Sequence, residues 1–380
     1  IVDEFDFALC IGVQSTPTRS IGSPVSEVME RGSEEGFSEI LRNNMAMVRR
    51  RMKTSELKFE ITTIGKKSKT DVAICYLNDT VDKEMLAEVK KRLNKMEIDA
   101  VLDSGYIQPF LDTPSASLFP SVGTTERPDT LCGKILEGRI GVLVDGTPYA
   151  LTVPLLFSEH FQSLDDYTVN PFFATFIRCI KYLSFFLAVF VSGTYVAICE
   201  HNPELFPAAI LHKVFDSGIV TPFPNMWEAL IIHVIYEIMR EAGLRLPKSV
   251  GHAVSIVGGL VIGEAAVTAG LIGAPMIIVV AVTALASFVV PTLYYPCALL
   301  RFAGIFIGGL CGTPGMVLFA AVIMTAVCGH NVYGIPLSAP VSPFDRFSVR
   351  DTLLRDSWRK LSKKTVKIQN LHGSKEENRP

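Results

Sequence analysis

Residues 250–272 read V-G-H-A-V-S-I-V-G-G-L-V-I-G-E-A-A-V-T-A-G-L-I, an apolar stretch of membrane length with one carboxylate, Glu264, near its middle. About 20 apolar residues cross the hydrocarbon core of a bilayer. An ionisable group at that depth is costly, so it faces a bundle interior, a pore or a partner. Ser255, Gly259 and Gly263 recur at every fourth position of the same stretch, a small-residue seam for helix packing that lets a second helix approach closely. A packing face and an acid on one helix suit a pore or transport bundle better than a passive anchor.

Composition divides the chain into unlike parts. Mean hydropathy is +0.34 with 19% charged residues, between the values of a soluble enzyme and a pure membrane bundle. Residues 1–170 are charged and of ordinary globular character, 171–340 are apolar, and 341–380 are basic. The expected fold class is α+β in two parts: a cytosolic α/β domain, then a polytopic α-helical membrane bundle, then a basic cytosolic tail. The net charge of −2 averages over these parts and says nothing about partners; no nucleic-acid partner is expected. The chain starts at Ile1 without a methionine or a signal-peptide pattern, so a segment upstream is expected.

Of the eight cysteines, none forms a C-x-x-C pair or stands at zinc spacing from a histidine. Half of them or more fall in apolar segments, where cysteine behaves as a small hydrophobe. No metal site and no disulfide framework is expected.

The first 170 residues read as α/β. Phe5 to Val13 has strand character, Leu57 to Ile64 alternates, and Asp71 to Leu77 is a short apolar run. Phe37, Ile40, Leu41, Met45, Val48 and Met52 recur at helical steps and predict a helix over 34–53. A second is predicted over 82–96, from Met85, Leu86, Val89, Leu93 and Met96. Asp145-Gly146 between apolar runs signals a hairpin of Ile140–Val144 with Thr147–Val153. Thr124 to Asp129 is dense in polar groups but reads as a turn in which Arg127 pairs with Glu126 or Asp129. No P-loop, G-x-G-x-x-G, G-x-S-x-G or H-E-x-x-H occurs, so nothing here specifies catalysis and no cofactor is implied.

In the apolar part, Tyr182 to Ile198 is flanked by Arg178 and Lys181 on one side and by Glu200 and Glu204 on the other. Positive-inside bias puts the preceding domain in the cytoplasm. Leu205 to Pro224 is broken by proline and glycine, and Trp227 to Glu241 carries Glu228, His233, Glu237 and Arg240. Pro275 to Val290 is a further span. Leu299 to Cys328 is either one kinked span or two short ones around Gly312-Thr313-Pro314-Gly315, with Gly304, Gly308 and Gly312 four apart. The basic tail argues for a cytoplasmic C-terminus, hence an even number of crossings, four to six.

On a helical wheel, Val257, Leu260, Val261, Thr268 and Leu271 share the face of Glu264. Around a common axis that face would make an acidic ring between apolar constrictions, which attracts cations and gates by dewetting. Val257, Val261, Glu264 and Thr268 are the candidate pore-lining residues. The alternative is an internal pair of Glu264 with His233, His252 or Arg240.

Several stretches also resemble a known family. Glu34-Glu35-Gly36-Phe37-Ser38-Glu39 with Asn44 and Arg49-Arg50-Arg51 is one, and Thr124-Glu126-Arg127-Pro128-Asp129, Glu137-Gly138-Arg139 and Val144-Asp145-Gly146-Thr147-Pro148 are others. Pro222-Phe223-Pro224, residues 240–247 (R-E-A-G-L-R-L-P) and residues 256–263 (I-V-G-G-L-V-I-G) complete the set. In order and spacing they resemble the A subunits of GerA-type spore germinant receptors, related to the SpoVAF proteins. The resemblance implies a multi-pass protein of the spore inner membrane. It would work beside a permease-like B subunit and a lipoprotein C subunit, as a homo-oligomer among membrane lipid. It also implies a further cytosolic subdomain upstream of Ile1, and a ligand-gated monovalent cation channel that triggers germination.

Three functions follow for comparison: a non-enzymatic channel subunit, a secondary transporter with Glu264 as coupling carboxylate, and a membrane-tethered enzyme. The absence of catalytic motifs disfavours the last, and the absence of a clear inverted repeat disfavours the second.

Overall fold

The computed structural model describes residues 22–24, 26–27, 29, 31–112, 117–246, 261, 263–345, 348–361 and 367–374. The chain divides into two compact units, Ile1–Leu111 with Val122–Val153, and Asp112–Ser121 with Pro154–Pro380. Residues 154–170, grouped with the first part by composition, therefore pack in the second unit. Phe5 to Val13 lies outside the described residues.

The first unit is a five-stranded sheet with helices. In chain order it contains α1 (Leu41–Arg51), β1 (Leu57–Ile64), β2 (Thr70–Leu77), α2 (Lys83–Asn94), α3 (Gln108–Leu111), β3 (Gly123–Thr125), α4 (Pro128–Leu136), β4 (Ile140–Val144) and β5 (Ala150–Val153). The strand order is β1-β2-β4-β5-β3 and all neighbours are antiparallel. Leu41 and Val48 of α1 and Leu131 and Ile135 of α4 pack on Leu57, Ala73, Cys75 and Leu143 of the sheet. α2 buries Met85, Leu86, Val89 and Leu93, and Asp82 caps it by accepting the Glu84 N–H at 2.8 Å. The stripe and the cap both lie on the predicted segment.

Three local expectations shift. α1 begins at Leu41, not at 34, because the preceding residues have non-helical partners. The Asn44 amide donates to the Ser38 carbonyl at 2.6 Å, its oxygen accepts the Ser38 N–H at 2.8 Å, and the Phe37 N–H donates to the Glu126 carbonyl at 2.8 Å. Asp145-Gly146 does not form a two-residue turn. Asp145 Oδ1 accepts the Leu41 N–H at 3.0 Å, and Gly146, at φ +88°, donates to the Glu39 carbonyl at 2.7 Å. The hairpin strands pair Leu143 with Ala150, so the second strand starts three residues later than expected. The Thr124–Asp129 turn is the junction between β3 and α4, with Pro128 in the first helical turn.

The second unit contains α5 (Asp165–Thr168), α6 (Pro171–His201), α7 (Ala208–Val220), α8 (Asn225–Arg245), α9 (Ala274–Val289), α10 (Tyr294–Gly329), the short strands β6 (Asn331–Val332) and β7 (Ile335–Pro336), and α11 (Trp358–Leu361). Two described helices are long and apolar enough to cross a bilayer, Pro171–His201 and Pro291–Gly329, and Ala274–Val289 is a shorter apolar helix.

α10 is broken where the sequence places Gly312-Thr313-Pro314. Gly312 adopts φ +65°, a left-handed conformation that favours glycine, and Pro314 lacks the N–H to continue the ladder. The two halves run back along each other: a Cβ on Gly304 would stand 3.3 Å from Phe319 Cε1. α6 packs against both, with Phe190 against Phe319 at 6.0 Å and Gly193 against Gly304 and Gly308. At the break, Thr313 Oγ1 donates to Asn202 Oδ1 at 2.8 Å, and the Met226 N–H at the start of α8 donates to Glu200 Oε1 at 2.8 Å. The opposite end gathers Phe161, stacked on Tyr182 at 4.0 Å, with Leu293, Val327, Val332 and Leu337.

Candidate pore face and the buried polar network

Of the residues proposed to line a pore, Val261, Glu264 and Thr268 are described. All three are exposed on the single subunit, Val261 by 56%. Glu264 forms no ion pair or hydrogen bond with a described residue. Two of its suggested internal partners are engaged elsewhere. His233 bonds the Ala229 carbonyl at 2.8 Å and the Ser192 hydroxyl at 3.1 Å, while Arg240 pairs with Glu237 at 3.1 Å and Glu241 at 3.7 Å. His252 and Val257 lie outside the described residues, as do Ser255 and Gly259 of the small-residue seam. At Gly263 a Cβ would meet nothing within 4 Å. Among the described residues, Gly193 of α6 comes close to Gly304 and Gly308 of α10 instead.

α8, α9 and α10 enclose a polar network that the sequence reading did not assign. Arg301 is fully buried; its Nη2 donates to Glu237 Oε1 at 2.6 Å and its Nη1 to Ser287 Oγ at 3.2 Å. The Tyr294 hydroxyl donates to both Glu237 oxygens, at 3.0 and 2.9 Å, and Arg240 lies 4.1 Å over the Tyr294 ring. A single charged residue inside the apolar run 296–311 was the available signal.

Acids also close helix starts in this unit. Glu228 is 2% exposed and its Oε1 accepts the Gly273 N–H at 2.6 Å, ahead of α9. A carboxylate there meets the positive end of the helix dipole. Beside it is a cavity of about 400 Å³, lined by Phe223, Glu228, Ile231, Ala266, Ala269 and Leu271 among others.

Where α6 begins, Arg178 is fully buried between Asp166 at 2.8 Å and Asp351 at 3.1 Å, with Lys181 joining Asp166 at 3.3 Å. The Tyr167 hydroxyl donates to Asp351 Oδ2 at 2.9 Å. This clasp ties residues 348–358 to the first turns of α6.

In the first unit, Arg127 is 3% exposed and grips Asp129 through Nε at 3.1 Å and Nη2 at 2.7 Å, as the turn predicted; Nη2 also donates to the Ser33 carbonyl at 2.8 Å. Glu27 Oε2 accepts the Thr125 hydroxyl at 2.7 Å. Burial nevertheless pushes the Glu27 carboxyl above the usual carboxylate range, against the pull of Thr125 and the Glu126 N–H. Glu35 is held below that range by its hydrogen bond from Arg50, reinforced by Arg51 at 2.7 Å. These groups tie Glu27 to Thr125 of β3, Ser33 to the β3–α4 junction and Glu35 to α1.

The chain matches the family model for the Bacillus/Clostridium GerA spore germination protein over residues 1–367. It is 40% identical over 358 residues to spore germination protein KA of Bacillus subtilis, covering 94% of this chain and 66% of that one. To the uncharacterized membrane protein YfkQ of the same organism it is 39% identical, covering 97% of this chain and 72% of that one. Spore germination protein A1 of B. subtilis is 33% identical, over 93% and 74%. Among solved structures, the N-terminal domain of the A subunit of the Bacillus megaterium spore germinant receptor GerK3 is 42% identical, over 32% of this chain and 97% of that one, with a TM-score of 0.27. The chain belongs to the GerA family of spore germination proteins.

Proposed function

We propose that this chain is the A-type subunit of a nutrient germinant receptor in the spore inner membrane, and that copies of it assemble around the Glu264 face into a ligand-gated monovalent cation channel. A permease-like B subunit and a lipoprotein C subunit would supply ligand recognition. The first unit then acts as a non-enzymatic scaffold for assembly and gating.

The observation that carries this reading is the exposure of Glu264 beside Val261 and Thr268 on one subunit. A carboxylate facing hydrocarbon costs on the order of 3 kcal/mol. Water in a pore or a neighbouring subunit removes that cost.

Six crossings accommodate the packing. α6 runs from the Arg178 end to the Glu200 end, α8 returns, and α9 and the two halves of α10 add three more. An even total needs one more, for which the apolar stretch of sequence 250–272 has the length. An even number agrees with the clasp, which joins the start of α6 to residues 351–355. Cytoplasmic loops carry the basic residues, so both this end and the first unit are assigned to the cytoplasm.

The test is cation flux through the reconstituted complex. Glu264→Gln keeps the volume, removes the charge and is expected to cut flux while the complex stays assembled. Val261→Ala is expected to raise basal leak by loosening the apolar collar. Unchanged flux and selectivity in the first, with no leak in the second, would exclude this face from conduction. Flux that requires a co-substrate would favour the transporter.

A further inference from the structure

Beside the clasp at the start of α6 lies a further buried cation, Arg355. Arg178 and Lys181 meet Asp166 and Asp351. The nearby Asp356 pairs with Lys360 at 3.1 Å. Arg355 is 3% exposed and has no carboxylate partner among the described residues. Its guanidinium lies 5.4 Å from the Tyr167 ring and 5.1 Å from the Trp358 ring. Nη1 donates to the Asp356 carbonyl at 2.6 Å, whereas Nε and Nη2 are buried without a partner.

Nε and Nη2 form one straight edge of the guanidinium, the fork that binds two oxygens of a phosphate or carboxylate side by side. A buried cation with that edge open is expensive to maintain. An oxyanion there satisfies both donors. Arg178 Nη2, also buried without a partner, belongs to the guanidinium 5.6 Å from the same Tyr167 ring.

The surroundings select the source of the oxyanion. Phe172 is 88% exposed, and Phe173, Phe176, Leu354 and Trp358 are each more than half exposed. The Trp358 N–H is satisfied inward, on the Tyr167 carbonyl at 3.2 Å, with its ring turned outward. Aromatic side chains gather at the headgroup level of a membrane. We propose that the Nε–Nη2 edge of Arg355 seats the phosphate of an anionic phospholipid, with Trp358 as the side chain that yields to it. This rests on a membrane location alone and is independent of channel activity.

Trp227 and Trp358 are the two tryptophans of the chain, so Trp227→Phe leaves Trp358 as the only indole. The full chain carrying that change is titrated in detergent with phosphatidylglycerol brominated on its acyl chains. Saturable quenching of Trp358 is expected, with a midpoint weakened at least roughly tenfold by Arg355→Lys, which keeps charge but loses the fork. An unchanged midpoint in Arg355→Lys, equal quenching by brominated phosphatidylcholine, or displacement by inorganic phosphate would each overturn the assignment. Native mass spectrometry of the unsubstituted chain supplies a readout that needs no variant. One retained phosphatidylglycerol per chain supports the site, and none retained overturns it.

Discussion

Gly193 of α6 and Gly304 of α10 touch backbone to backbone: a Cβ on Gly193 would stand 2.5 Å from the Gly304 carbonyl oxygen. Such contact is what lets van der Waals packing hold helices together where lipid is as apolar as they are.

Gly193→Ala is therefore expected to destabilise the subunit, because backbone cannot move aside as a flexible side chain can. Overpacking of this kind costs about 1–3 kcal/mol. The check is the thermal unfolding midpoint in detergent, with Gly218→Ala as control, since a Cβ there meets nothing within 4 Å. Equal midpoints for both variants would argue that the helices stand further apart than described.

Gly263→Leu separates subunit stability from assembly. Open space at this position within one subunit predicts an unchanged midpoint, and leucine favours insertion. If the Glu264 helix packs against another copy, the variant loses complex size on a native gel. A complex of normal size would remove Gly263 from any interface.

Glu237→Ala leaves Arg301 buried without its carboxylate and Tyr294 without its acceptor. Breaking a buried pair in this way costs about 3–5 kcal/mol. Replacing Arg301 by Met as well should recover much of that loss, because the double variant strands no fully buried charge and Arg240 keeps Glu241 at 3.7 Å. The coupling from the double-mutant cycle is the measurement; additive losses would mean that the pair contributes nothing as a pair.

The Glu27 carboxyl titrates above its ordinary value of 4.5 because it is buried. A group whose folded value is raised favours the fold below its unfolded value and loses that contribution as pH rises through the folded one. Glu27→Gln cannot ionise, so its advantage over the parent should grow from about pH 4.5 toward neutrality. Hydrogen exchange at the Phe37 amide, bonded to the Glu126 carbonyl, reports it when variant and parent are compared at each pH. An advantage that shrinks with rising pH would show that the Glu27 carboxylate is stabilised in place.

What the sequence alone determined is what depends on neighbours along the chain. Alternation in Leu57–Ile64, the apolar stripe and Asp82 cap of α2, the apolar segments after residue 171 and the glycines four apart all express local geometry. Glu264 was legible for the same reason, as one acid on an apolar helix. Tertiary structure decided whatever needed a partner from far away. α1 starts at Leu41 because Asn44 closes on Ser38 and Phe37 meets Glu126. Asp145 serves α1 and not a tight turn because Leu41 lies within its reach. The sequence allowed one kinked span or two at Gly312; the left-handed φ and the Gly304–Phe319 approach select two antiparallel halves. Arg178 and Arg301, legible only as charges at the edge of or within apolar runs, are fully buried because Asp166, Asp351 and Glu237 come to them from other segments. Periodicity reports which face of a segment avoids water. The cost of burying a charge is met only by a group that the fold brings alongside it.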